Sequence, residues 1–169
     1  MASRPWTLGD LRIPMIDAFV GDHGYLSNFW PAPTPYRDRI FPTSEHAFAS
    51  AKTDDCDAIS RILATDDPAE AKRIGRTVPL VDDWERRKYV EMESIVEAKF
   101  RHNPILAEKL VSTRGSLIVE GNIWHDQTWG SCSCDRHRDF PGDNALGVIL
   151  MRVRMQLTNS PDSENRFDS

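Results

Sequence analysis

The sequence predicts an α+β fold, a single mainly helical domain with a few short strands. Three observations lead to that expectation. Apolar residues recur at spacings of three and four through most of the patterned stretches, short β-type segments are few, and the two types do not alternate one for one as in a βαβ fold. A length of 169 residues suits one domain with a sizeable core. The domain is expected over residues 15–158, after a flexible segment 1–14 and before a polar, disordered tail 159–169.

Taken in order, "MIDAFV" reads as a short strand and "GDHGYLSNFWPAPTP" as a long loop rich in Gly, Pro and aromatics. "YRDRIFP" reads as a small hairpin with Asp38 near its turn. A helix starts at "TSEHAF", where the Thr43 or Ser44 hydroxyl can accept from the free amides of the first turn. In "TDDPAEAKRIGR", Asp67 is placed to cap, Pro68 to occupy the first helical position, Glu70 to complete a capping box and Gly75 to end the helix. "VDDWERRKYVEMESIVEAKFRHNP" carries the longest helical pattern, with Tyr89, Met92, Val96 and Phe100 forming one buried stripe. Asn103 and Pro104 stop it and begin a further helix through "ILAEKLVST". "SLIVEGN" reads as a strand and "WHDQTWGSCSCDRHRDFPGD" as a loop. The last helix, "NALGVILMRVRMQL", turns Leu146, Ile149, Leu150, Val153 and Leu157 inward.

Lys plus Arg number 21 against 26 Asp plus Glu, a net charge of −5. The clustered positives, "KRIGR" and "ERRK", are short and flanked by acids, so no extended nucleic-acid groove is expected and a small-molecule or single-nucleotide ligand is favoured. No apolar run approaches the roughly 18 residues of a membrane span, and the N-terminus lacks a signal-peptide core, so no membrane partner and a cytoplasmic setting are expected. Among the three cysteines, Cys132 and Cys134 stand too close for an unstrained mutual bridge. With His125 and His137 alongside, they are either metal ligands or part of a reduced surface loop. The usual paired C-x-x-C spacing is missing, and neither a metal nor a cofactor enters the expected site.

The chemistry concentrates on "SEHAFASAK". Seven helical residues at about 100° each return Lys52 to within about 20° of Glu45, about 10 Å along the axis. Ala49 lies between them and leaves room above that face for a ligand with a polar group at each end, while Phe48 and Ala51 point elsewhere. The alternative is a solvated face without function, since a Glu and a Lys seven apart do not pair directly. His46, one step round, reads as a core or supporting histidine. Two further loops add candidates: Ser27, Asn28 and Phe29 in "GYLSNFWPAP", and Glu120, Asn122, Trp124, Asp126 and Trp129 in "VEGNIWHDQTWG". Aromatic faces beside carboxylates and amides suit a flat base joined to a sugar, although Trp124 and Trp129 could equally plug the core.

"GYLSNFWPAP", "FPTSEHAFASAKT", "EAKRIGR", "DW", "AKF", "EGNIWHDQTWG" and "NALGVILMRVR" occur in the order in which they occur in the NADAR (YbiA-like) family, and the chain resembles that family from residue 17 to residue 155. The resemblance implies an N-glycosidase of the YbiA-like fold. One branch of the family is associated with removing ADP-ribose from guanine bases, another with ribosylamino intermediates of riboflavin synthesis. The first implies an ADP-ribosylated guanine nucleoside, nucleotide or nucleic-acid end as substrate. The motif residues carried over are Glu45, Lys52, Trp84, Glu120, Asn122, Asp126 and Trp129, with Asn144 and Gly147 opening the last helix. Glu45 is then the acid/base or stabiliser of an oxocarbenium-like transition state, and Lys52 the amine that holds the opened sugar as a Schiff base. In the alternative, Lys52 binds phosphate and Asp126 activates water. Trp84 and Trp129 are candidates to stack on a base, and Arg73 or Arg76 to meet a phosphate. His125 stands where the family motif often has a glycine, in W-G-D, so the loop must shift if that glycine needs a positive φ. A non-catalytic ADP-ribose reader and a metal hydrolase built on His125, Cys132, Cys134 and His137 are the competing functions.

Overall fold

The computed structural model describes residues 7–8 and 11–159. The expectations for residues 1–6, 9–10 and 160–169 lie outside the described residues. The chain gathers into two compact units, one formed by residues 27–104 and the other by residues 1–26 with 105–169.

The unit of residues 27–104 is built around a short buried helix. A hairpin of β4 (Thr34–Tyr36) and β5 (Arg39–Phe41) pairs Tyr36 with Arg39, which puts its turn at Arg37 and Asp38 as the sequence predicts. Helix α1 (Ser44–Ala51) follows, and Thr43 caps it by accepting from the His46 amide at 3.3 Å. Helix α2 (Cys56–Ala64) has no counterpart among the sequence expectations. Asp55 caps it, accepting from the Asp57 and Ala58 amides, and Ala58, Ile59 and Ile62 form its buried face. In α3 (Pro68–Gly75), Asp67 caps by accepting from the Ala69 amide at 2.9 Å. Glu70 accepts from Arg73 at 2.6 and 2.7 Å, while the Asp67 amide donates to the Thr65 hydroxyl, so the predicted capping box does not form. Helix α4 (Trp84–His102) buries Trp84, Met92, Ile95, Val96, Lys99 and Phe100. Tyr89, expected on that stripe, is 40% exposed, because one turn before Met92 the inward position is Lys88, whose side chain is 18% exposed.

All eight residues of α1 are buried, and Ala47, Ala49 and Ala51 have no exposed surface. The alanines serve helix packing. A Cβ on Gly75 would lie 2.9 Å from the Ala49 Cβ and 3.1 Å from its Cα, so α3 approaches α1 at glycine-to-alanine distance. Around that contact Ala58, Ile62, Ala71, Ile74 and Val78 close the core. The room expected above Ala49 is therefore occupied by the backbone of α3. Gly75→Ala should push the two helices apart and lower stability by about 1–3 kcal/mol. Thermal unfolding of the variant beside the parent checks this; an unchanged midpoint would mean that the helices separate freely.

In the other unit, β1 (Thr7–Leu8) pairs antiparallel with β2 (Leu11–Arg12). β3 (Met15–Ile16) pairs in parallel with β6 (Leu117–Ile118), aligning Met15 with Leu117 and Ile16 with Ile118. A 3-10 helix occupies Gly21–Leu26, inside the stretch read as loop, and α5 spans Pro104–Ser112. The single strand expected in "SLIVEGN" is divided into β6 and β7 (Gly121–Asn122), and β7 pairs in parallel with β8 (Ser131–Cys132). Helix α6 (Ala145–Thr158) buries Leu146, Ile149, Leu150 and Val153 as predicted, with Leu157 half-buried. A Cβ on Gly147 would stand 2.2 Å from the Ile118 carbonyl oxygen, so only glycine lets α6 lie this close to β6. Among the described residues, no helix is long and apolar enough to cross a membrane.

Candidate active site

Glu45 lies in the first turn of α1 and is 6% exposed. Lys52, the residue after the helix, is half-buried, and its carbonyl is fixed by the Val81 amide at 2.8 Å. The face is therefore not the solvated one of the alternative reading. A charged pair withdrawn from water is costly to keep unless each charge has compensation. The Lys52 amine is pulled below the ordinary lysine range, first by burial and then by the positive charges of Lys72 and Arg76. Glu45 opposes the shift with its negative charge, so the two groups two turns apart act on one another through space. The Lys52 Nζ also sits 5.4 Å from the centroid of the Phe48 ring.

The neighbours sort the remaining candidates of this unit. The Arg73 guanidinium is engaged by both oxygens of Glu70, whereas the charge of Arg76 reaches Lys52; of the two arginines considered for phosphate, Arg76 is the one associated with the amine. Trp84 is 6% exposed and packs on Phe48 at 5.3 Å between centroids. Little of the Trp84 face is left for a base. Phe29 and Trp30 expose 36% and 38% of their surface, and the Lys72 Nζ stands 5.4 Å from the Phe29 centroid. His46 is a core histidine: the Thr43 hydroxyl meets its Nδ1 at 2.8 Å, its Nε2 meets the Thr65 carbonyl at 3.0 Å, and burial pushes its pKa down.

The loop at Ser27–Phe29 is held from below. The Asn28 carbonyl accepts from the Glu45 amide at 2.9 Å, and the Asn28 side chain donates to the Met92 sulfur at 3.3 Å. Ser27 Oγ accepts from the Phe29 amide at 3.1 Å. The Ser27 carbonyl accepts from Lys99 Nζ at 2.8 Å. Sequence reasoning missed Lys99, although a signal was present, since it lies seven residues after Met92 and three after Val96 on the buried stripe. Burial brings its pKa down to about 7. Between that value and the ordinary lysine value the unfolded chain holds a proton that the folded chain lacks, so the contribution of Lys99 to stability grows as pH rises from 7 toward 10.5 and is lost as pH falls through that window. Relative to Lys99→Met, the parent should gain up to about 1.4 kcal/mol per pH unit there. Denaturant unfolding of both proteins across that window is the check, and parallel stability curves would contradict it.

The late-loop candidates lie in the other unit. Asn122 is 4% exposed; its amide donates to the Asp126 carbonyl at 2.8 Å and its Oδ1 accepts from the Asp126 amide at 3.2 Å. Asp126 Oδ1 accepts from the amides of Thr128 and Trp129, at 3.0 and 2.9 Å. Both side chains thus shape the loop. Asn144, in the left-handed region at φ 51°, accepts from the Glu120 amide and donates to the Ile118 carbonyl, each at 2.9 Å. Glu120 and Trp129 are half-buried, while Trp124 is 63% exposed and does not plug a core. His125 takes φ 71°, so the loop keeps the positive φ that glycine would favour, at a cost on the order of 1 kcal/mol. A cleft of about 600 Å³ is lined by Asp17, Asn122, Trp124, Ser131, Ser133 and Asn144 among others, all belonging to this unit.

The sequence matches the NADAR domain family over residues 18–158. It is 33% identical over 138 residues to the N-glycosidase YbiA of Escherichia coli, an alignment covering 80% of this chain and 82% of that one. It is also 33% identical over 141 residues to a riboflavin biosynthesis protein of Vibrio vulnificus, covering 80% of this chain but 36% of that longer protein. The NMR structure of the Escherichia coli protein YbiA superposes with a TM-score of 0.74 at 28% identity, covering 100% of this chain and 98% of the other.

Proposed function

The chain belongs to the NADAR family, and we propose that it is an N-glycosidase that hydrolyses a ribosyl N-glycosidic bond, with ADP-ribosylated guanine as its substrate. The observation that carries the reading is the Lys52 amine, half-buried beside two cations and acted on by Glu45, with its pKa lowered. A lysine in that state supplies neutral amine nearer neutral pH than an exposed one does.

In this mechanism the Lys52 nitrogen attacks the anomeric carbon as the bond to the base nitrogen breaks. The base leaves with the bonding electrons, the surplus proton on the Lys52 nitrogen passes to the Glu45 carboxylate, and Glu45 hands that proton to the base nitrogen. Ring opening moves the remaining Lys52 N–H proton to the ring oxygen and leaves a Schiff base, and water adds to release the sugar and the free amine. Positive charge develops on the sugar carbon in the transition state, which a carboxylate held out of bulk water stabilises more than one in water.

Lys72 and Arg76, which bias Lys52 electrostatically, supply charge for a diphosphate, and half-exposed Phe29 offers an aromatic face for a base. That pairing favours ADP-ribose over a ribosylamino compound. The relative named for riboflavin biosynthesis keeps the second substrate class in the test. Assayed side by side, ADP-ribosylated guanosine should release guanosine and a ribosylamino-pyrimidine should remain intact. The reverse outcome would reassign the substrate, and turnover of neither with tight ADP-ribose binding would make the chain a reader. Three free cysteines fit a reducing, cytoplasmic setting.

A further inference from the structure

His125, Cys132, Cys134 and His137 converge in the loop around β8, with one ligand-type atom from each lying within 4.8 Å of all the others. Sequence spacing left these residues as either ligands or a reduced loop, and the coordinates bring them to a single point. The two His Nδ1 atoms are 3.4 Å apart, and the Cys134 sulfur lies 3.3 Å from the His125 Nδ1 and 3.4 Å from the His137 Nδ1. A tetrahedral zinc with Zn–N of about 2.0–2.1 Å and Zn–S of about 2.3 Å has N···N edges of about 3.4 Å and N···S edges of about 3.6 Å. The three edges among His125, Cys134 and His137 match those lengths, and the Cys132 sulfur, within 4.8 Å of each, stands close enough to close the fourth corner as the ion draws it in. Hydrogen bonding alone explains it poorly, because two imidazole nitrogens and a thiol aimed at one another have few protons to share.

From this convergence we propose a structural zinc site of composition Cys2His2, ligated by His125 Nδ1, Cys132 Sγ, Cys134 Sγ and His137 Nδ1. Two sulfurs and two imidazoles select zinc over magnesium or calcium, which prefer oxygen. Four protein ligands fill the tetrahedron and leave no position for water, so the metal holds the loop and takes no part in hydrolysis. Binding replaces the two thiol protons, which pass to solvent.

The surrounding backbone is prepared for this role. The Cys132 amide donates to Gln127 Oε1 at 2.7 Å, and the Ser133 amide donates to the Asn122 carbonyl at 2.8 Å, which fixes both cysteines beside β7. The amides of His137 and Arg138 both donate to the Cys134 carbonyl at 2.9 Å, forming the turn that brings His137 back to the sulfur. His125 reaches the cluster from its left-handed conformation, and a metal bond offsets the strain of a non-glycine residue there. The proposal is independent of the N-glycosidase reading.

The full chain, grown with zinc and purified without chelator, should carry about one zinc per chain by elemental analysis. After chelator stripping, Co²⁺ should give the intense visible bands of a tetrahedral thiolate site, and added Zn²⁺ should bleach them and raise the thermal midpoint. Cys134→Ser and His137→Ala should each weaken zinc binding by more than the 10- to 100-fold typical of residues that only support a ligand. A folded parent protein that purifies without zinc, gives no tetrahedral cobalt spectrum and shows no shift with Zn²⁺ would overturn the site. Zinc retained at parental affinity in both variants would overturn the ligand assignment. If a variant fails to fold, the cobalt spectrum of the parent chain decides.

Discussion

Glu45→Gln should lower kcat by about 10²- to 10⁴-fold, the range associated with losing a positioned general acid or base. The amide preserves the shape of the side chain and removes both the negative charge and the transferable proton. Because Glu45 is 6% exposed within a fully buried helix, solvent does not readily replace its function. The same change removes the charge that favours protonated Lys52, so the amine pKa should fall further. Activity measured across pH should therefore show a lower maximum and an earlier alkaline rise. Parental turnover in Glu45→Gln would demote the carboxylate to a binding group.

Lys52→Arg should separate the two roles open to the amine. Arginine keeps a positive charge for phosphate but has no neutral form at accessible pH, so it cannot attack the sugar. Loss of turnover with substrate binding retained identifies a nucleophile; retained turnover identifies an anion-binding group. Complete loss to the detection limit, at least about 10³-fold, is the expected result for a residue that forms the covalent intermediate. In the parent, activity should rise with pH as the neutral amine appears, and the midpoint should lie below the ordinary lysine range, because burial, Lys72 and Arg76 all disfavour the charged form.

Much of this arrangement could be read from residue types. The Thr43 and Asp67 caps, the hairpin turn at Arg37 and Asp38 and the inner face of α6 follow from local chemistry, and the structure has each of them. Features that depend on distant partners could not be read in this way. The alanines of α1 suggested open space because the sequence does not show that Gly75 packs against Ala49. Helix α2 went unnoticed because its apolar face is only Ala58, Ile59 and Ile62 in an otherwise polar stretch. Lys99 escaped attention because lysine is ordinarily a surface residue. The parallel pairing of Met15 with Leu117 spans most of the chain and leaves no local signal. His125, Cys132, Cys134 and His137 were visible as residue types, but only the fold shows that they meet.

Trapping with borohydride during turnover of ADP-ribosylated guanosine tests the central claim most directly. If Lys52 carries the sugar, reduction should leave one stable adduct, mapped by peptide mass spectrometry to the peptide containing Lys52 and missing in Lys52→Arg. Full turnover with no adduct on Lys52 under reducing conditions would contradict the covalent mechanism.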